Sequence, residues 1–329
     1  MMKRFALLCY LLFITSWLQA QTNYPSHVTV AQDGTGDYTT IQAAIKVLRA
    51  YSPVPLQVEI KKGVYHEKVV IPAWLTNVTF TGQDKDSTII TYEDYSGKLL
   101  QTDSAGKKEL FTTFNSYTVW VQGNDVNLEN LTIQNAAGRV GQAVALHVDG
   151  DRVQVRNCRL LGNQDTLLTA NESSRQYYRD CYIEGTTDFI FGGATAVFEC
   201  CTIKSLSNSY VTAASTSARQ AYGYVFLQCT FTAAEAATSV YLGRPWRQHA
   251  RVVLICCVLG RHIRPEGWEN WRNPANEKTA YYAEYANTGE GAGTAGRVAW
   301  SHQLTAKQAK PYIVAHIFSG TTGWNPQTK

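Results

Sequence analysis

One short phrase built around cysteine returns through the middle of the chain: Asn157-Cys158-Arg159-Leu160, Asp180-Cys181-Tyr182-Ile183, Cys200-Cys201-Thr202-Ile203, Gln228-Cys229-Thr230-Phe231 and Cys256-Cys257-Val258-Leu259. The steps between its copies are 23, 20, 28 and 28 residues. Asn130-Leu131-Thr132-Ile133 and Asn77-Val78-Thr79-Phe80 have the same shape further upstream. Each copy alternates polar and apolar side chains among β-branched and aromatic neighbours, which is the pattern of a short strand. Strand-sized units at this period, with no helical periodicity between them, predict a solenoid whose coils stack on one another. The fold class expected is therefore all-β, a parallel β-helix, with the cysteines as an internal ladder of small apolar side chains. An immunoglobulin-like sandwich would need Asn-Gly or Asp-Gly hairpin turns more often than this chain supplies them.

Both ends depart from the repeat. Lys3 and Arg4 precede an apolar run from Phe5 to Ile14 and a short stretch to Ala20. That order is a secretory signal peptide, too short to span a bilayer, and it predicts an exported mature chain over 21–329 as one domain, periplasmic or extracellular. Beyond it, Thr40 stands ready to cap a short amphipathic helix with Ile41, Ala44, Ile45 and Leu48 on one face, a fitting cover for an open solenoid end. After Gly260 the phrase stops, and a loop-rich tail holds Trp268, Trp271, Tyr281, Tyr282, Tyr285 and Trp300, expected to pack along the outside of the solenoid.

The chain carries 30 Lys and Arg against 26 Asp and Glu. Losing Lys3 and Arg4 leaves the balance near +2. Without a cationic run this excludes nucleic acid as the main partner. Seven cysteines remain after Cys9 is removed with the leader, an odd number with no His/Cys cluster at ligand spacing, so no metal is expected.

Coil register then asks which polar residues meet. Asp165 lies seven residues after Cys158 and Asp188 seven after Cys181, so both fall at the same place on adjacent coils, about 4.8 Å apart along the axis. Gln164 adjoins Asp165, Gln142 lies about one coil earlier at a less regular offset, and Arg244 stands two coils beyond Asp188. Two carboxylates so close cannot both ionise easily, which favours one charged and one protonated member. The glutamine amides are suited to an oxyanion. Asp and Asn are also common in solenoid turns, which is the plainer explanation of the same residues.

The local words narrow the choice. Gly141-Gln142-Ala143-Val144-Ala145-Leu146, Gly162-Asn163-Gln164-Asp165-Thr166-Leu167, Asp188-Phe189-Ile190-Phe191-Gly192 and Leu242-Gly243-Arg244-Pro245-Trp246 resemble, in order and spacing, the signature segments of pectin methylesterases. Outlying words such as Gly63-Val64-Tyr65-His66-Glu67 and Gly267-Trp268-Glu269-Asn270-Trp271 extend the resemblance from about Val28 to the C-terminal region. The family resemblance implies a right-handed parallel β-helix that hydrolyses the methyl esters of galacturonate units in pectin, without metal or cofactor. It implies Asp188 as nucleophile, Asp165 as acid and then base, Gln142 and Gln164 as oxyanion donors, Arg244 as the residue that orients Asp188, and Trp246 and Phe191 along the sugar cleft. It further implies a form without the inhibitor-like prodomain of many plant members, acting as a monomer on methylesterified pectin, with no membrane partner.

Two other classes fit a β-helix. A glycosidase could use two carboxylates about 5 Å apart, and a relative that kept the shape alone could bind carbohydrate without cutting it. A lyase would need acidic calcium ligands and a basic proton abstractor, and no acidic cluster beyond the one pair is present.

Overall fold

The computed structural model describes residues 24–102, 104–320 and 323–328. The expected signal segment lies outside the described residues. Three parallel sheets of eleven, eight and seven strands run side by side, and the chain visits each in turn before starting the next coil. This is the parallel β-helix that the repeat predicts, with the right hand that the family resemblance implies. The strands are short because each coil turns a corner every few residues. Leu56–Ile60, with Leu56, Val58 and Ile60 buried and the residues between them exposed, shows the inward and outward alternation that a coil wall requires.

The repeated phrase marks one corner. Asn130, Asn157, Asp180, Cys200, Gln228 and Cys256 all take the left-handed conformation, with φ between 49° and 54°. Asn and Asp tolerate it through their short polar side chains, whereas Cys200, Gln228 and Cys256 adopt it at a cost of roughly 1 kcal/mol or more, which the surrounding coil must offset. The turn sends the next residue inward. Leu131, Cys158, Cys181, Cys201, Cys229 and Cys257 accordingly stack in the interior, each at most 2% exposed. The thiols are unbridged. Cys158 and Cys181 each donate to the carbonyl two residues back, at 3.3 Å, so the sulfur hydrogens are satisfied within the corner itself. On the strands of the eleven-stranded sheet that lead into this corner, Tyr178, Phe198 and Phe226 stack with centroids 4.7 and 4.6 Å apart, continuing the same rule with larger rings.

Two expectations are corrected. Val78 pairs with Val126 in the eleven-stranded sheet, so Asn77 opens a strand there and is not a rung of the cysteine corner. Its resemblance to the phrase is compositional: Asn77 is also left-handed, but at another corner. The coil before Leu131 instead contributes Thr88, because Thr132 pairs with Ile89. The tail also differs. Tyr281–Tyr285 adds a strand to the eleven-stranded sheet, and Val258 bridges Thr288, so the solenoid continues past Gly260. Trp268 and Tyr282 lie inside the core, 1% and 0% exposed, with their ring centroids 4.5 Å apart.

At the first end the helix Ile41–Val47 turns Ile41, Ala44 and Ile45 onto the core, with Thr40 as its N-cap accepting from the Ala43 amide. Glu67 accepts from the Ile41 and Gln42 amides at 3.0 Å each, placing a carboxylate where the helix dipole favours one. Gln42 exchanges two hydrogen bonds with the backbone of Val70. The helix is thereby tied to the first coils. A hairpin that no periodicity announces, Leu99–Thr102 against Lys108–Leu110, leaves the solenoid between two coils.

Candidate active site

The outer face of the seven-stranded sheet carries the polar constellation. Leu167 pairs with Ile190, so Asp165 and Asp188, each two residues before these, occupy matching positions on neighbouring coils. Thr166 and Phe189 point inward and are 0% exposed, which turns the preceding aspartates out of the wall. Both aspartates are left-handed, φ 67° and 50°. The Asp188 amide donates to the Tyr210 carbonyl at 2.8 Å, and the Asp165 amide to the Thr187 carbonyl at 3.1 Å, so the backbone ladder fixes their separation along the axis.

Glycine makes two of the signature words possible. Gly192 has φ +122° and a Cβ there would stand 2.2 Å from the Thr169 carbonyl oxygen; at Gly243 it would stand 1.9 Å from Thr212 Oγ1. Any side chain at either would push apart the coils that hold Phe191 and Arg244.

Gln142 bridges Gln164 in a parallel register, so despite the irregular offset in the sequence the two occupy matching positions on neighbouring coils. Ser96, beside the hairpin, donates its amide to the Gln142 carbonyl at 2.9 Å and steadies that strand end. Arg244 reaches across from the second coil beyond. Its Nε and Nη2 donate to the two oxygens of Asp188 at 3.0 and 2.6 Å, a bidentate fork. Asp188 and Asp165 are only 6% and 7% exposed. Burial pushes Asp165 up, the neighbouring Asp188 charge pushes it further, and Arg244 opposes both, leaving it at about 8. Burial raises Asp188 as well, but the Arg244 hydrogen bonds and charge work against that rise. The pair is therefore ordered, with Asp188 the stronger acid.

Gln142, Gln164, Asp165, Asp188, Arg244, Trp246 and Phe191 all line one cleft of about 340 Å³. Phe191 is 4% exposed and packs with Val144, Leu168 and Ala213 under the cleft floor, with its ring 6.0 Å from that of Trp246. The structure adds Trp271, Thr113 and Phe114 to the lining. Trp271 packs on the outside of the solenoid as expected, and a left-handed pair, Trp271 and Arg272, whose amides donate to Glu269 at 2.9 and 3.0 Å, sets its ring over the cleft. Trp246 and Trp271 also border an adjoining hollow of about 520 Å³ that contains Arg247 and His249. Among the described residues no group of three or more His, Cys, Asp or Glu has the geometry to hold a metal ion.

The family model for pectinesterases matches residues 27–321. The chain belongs to the pectinesterase family. Like its relatives, this pectinesterase is a carboxylic ester hydrolase. It is 39% identical to Pectinesterase 31 of Arabidopsis thaliana over 88% of this chain and 91% of the relative. Other plant pectinesterases are longer, and the chain spans about half of their length. Among solved structures, pectin methylesterase from carrot superposes with a TM-score of 0.81 at 35% identity, covering 90% of this chain and 93% of the other. A pectin methylesterase in complex with a hexasaccharide gives a TM-score of 0.75 at 28% identity, with 91% and 98% covered. The matched span of this pectinesterase encloses every cleft residue named above.

Proposed function

We propose that the protein hydrolyses the methyl esters of galacturonate units in pectin, releasing methanol, and that the register-matched aspartates perform both chemical steps. The observation that carries this reading is the asymmetry of the pair: one carboxylate is gripped by an arginine fork and its neighbour is held up at about 8. That is a nucleophile beside an acid. Asp188 attacks the ester carbonyl carbon, and the carbonyl electrons move onto oxygen. The side-chain N–H groups of Gln142 and Gln164 receive that oxyanion. As it collapses, the bond to the methoxy group breaks and Asp165 gives its proton to the departing methanol, leaving an acyl-Asp188 anhydride. Asp165, now a carboxylate, takes a proton from water as the water oxygen attacks the acyl carbon. Collapse returns Asp188 as a carboxylate, frees the galacturonate acid and restores the proton on Asp165. None of these steps calls for a metal or cofactor.

Trp246 and Phe191 supply apolar surface at the cleft for the sugar, and the adjoining hollow offers room for neighbouring units of the polymer. The N-terminal leader read in the sequence puts the enzyme outside the cytoplasm, where pectin is met. The test is incubation of the purified protein with methylated pectin while following methanol, acid, reducing ends and unsaturated-sugar absorbance together. Methanol and acid should appear in equal amounts at constant polymer length, unaffected by a chelator. Reducing ends without methanol would instead mark a glycosidase, and no product at all a binding solenoid.

A further inference from the structure

Arg244 is held on three sides, and only one of them is Asp188. Its guanidinium lies 3.9 Å from the ring centroid of Tyr210 and 3.9 Å from that of Trp271, so the planar group is sandwiched between two aromatic faces. Tyr210 is in turn stacked on Tyr241, with centroids 5.3 Å apart and planes 13° from parallel, and Arg264 lies 4.7 Å over the far side of Tyr241. Cation and aromatic layers thus run Trp271, Arg244, Tyr210, Tyr241, Arg264. The main chain joins the same group: the Tyr210 carbonyl accepts the Asp188 amide at 2.8 Å. One residue therefore fixes the backbone of the aspartate and the plane of the arginine that grips it.

We propose that Tyr210 is a positioning residue for the esterase reaction, its ring and that of Trp271 clamping the Arg244 guanidinium in the plane of the Asp188 carboxylate. The inference rests on Asp188 being the nucleophile. An unclamped arginine side chain has several rotatable bonds, and a bidentate fork needs all of them set at once. A ring on each face removes those alternatives, and Tyr210 does so from outside the cleft lining. Tyr210 pushes no charge into the cleft of its own; the charged groups acting on Asp188 there are Arg244, Asp165 and Glu269. Loosening the clamp weakens the arginine's hold, and the fork is what favours the ionised form of Asp188. On the acidic side of the profile the carboxylate is then lost at a higher pH than in the wild type.

The experiment compares Tyr210→Phe, which keeps the ring, with Tyr210→Leu, which keeps apolar bulk and loses the aromatic face; Tyr210→Met takes the place of Leu should that variant fail to fold. Phe should stay within about twofold of the wild type. Leu should lower kcat roughly 3- to 30-fold, with KM little changed. The acidic limb of its kcat/KM profile should move to higher pH, so that the deficit shrinks as pH rises. A role in packing alone would lower the melting temperature and leave that limb in place. A Leu variant with wild-type kcat and an unmoved acidic limb overturns the clamp. Asp188→Asn is measured beside it: if that variant retains activity, the nucleophile assignment has failed, whereas an inactive Asp188→Asn with an unaffected Leu variant fails the clamp alone.

Discussion

The cysteine ladder and the aspartate pair are made by the same device and behave in opposite ways. In both, equivalent positions of successive coils bring like side chains into register, and in both the backbone passes through a left-handed residue at the corner. Inside, the repeated group is a neutral thiol. Burial raises Cys158, Cys181, Cys201 and Cys229 well above the usual thiol range, so the stack holds no charge and no conflict. Outside, the repeated group is a carboxyl that water would readily ionise, and repetition turns into a contest which Arg244 decides in favour of Asp188. Stacking is thus chemically silent until the stacked group titrates.

The sharpest way to break the comparison is to remove the charge from one carboxyl. Asp188→Asn should cost about 10⁴-fold or more in kcat with the melting temperature close to wild type, since the amide is nearly isosteric and a poor nucleophile. Turnover near normal, once deamidation is excluded by mass, would make the pair as silent as the thiols. Asp165→Asn should lose at least about 10²-fold through the acid and base steps.

The second variant also has a stability signature. The folded Asp165 lies at about 8 against 3.8 for the free group, so folding takes up a proton across that window and the wild type loses stability as pH rises through it. Asp165→Asn should therefore melt higher than wild type at pH 7, with the gap closing towards pH 4. The same ordering predicts that kcat/KM of the wild type falls as pH climbs through about 8, where Asp165 gives up the proton the leaving methanol needs. A flat rate profile up to pH 10 would detach Asp165 from the acid step.

The oxyanion donors come next in size. Replacing Gln142 or Gln164 by Ala should lower kcat by roughly 10²-fold each, more than it raises KM. A change in KM alone would mean that the amides hold only the bound ester. The smallest effect belongs to the interior. Cys201→Ala should cost about 1–2 kcal/mol of stability, read from denaturant melts, and leave kcat unchanged. An active-site defect in a folded Cys201→Ala protein would erase the distinction between the two stacks.

Most of this arrangement was legible in the sequence because a solenoid converts linear spacing into spatial position. Equal offsets from Cys158 and Cys181 were enough to put Asp165 beside Asp188, and the N-cap at Thr40 gave the helix Ile41–Val47. Spacing failed where the coil is not regular. Asn77 has the right neighbours at the wrong corner, since alternation alone cannot tell which of three sheets a strand joins. Gln142, counted about one coil before Gln164, does pair with it, but through a one-residue shift from the Leu146–Leu167 pairing, which is why its offset looked irregular. Trp271 and Tyr210 were missed for a different reason: they meet at Arg244 from separate parts of the chain, and the turn at Glu269 that aims Trp271 is a local hydrogen-bond detail without periodic signature.

The small helix at the first coil has a consequence for how the molecule meets copies of itself. A stack of parallel coils has no natural last member, and any uncovered end offers a ready template on which a further coil, from the same or another chain, can pair. Ile41, Ala44 and Ile45 fill the apolar interior at that end, while Glu67 and Gln42 lock the plug in place through backbone partners. Growth in that direction would require evicting a helix that is bonded to the coils beneath it. The plug is thus a length regulator: it gives an otherwise extendable architecture a defined beginning.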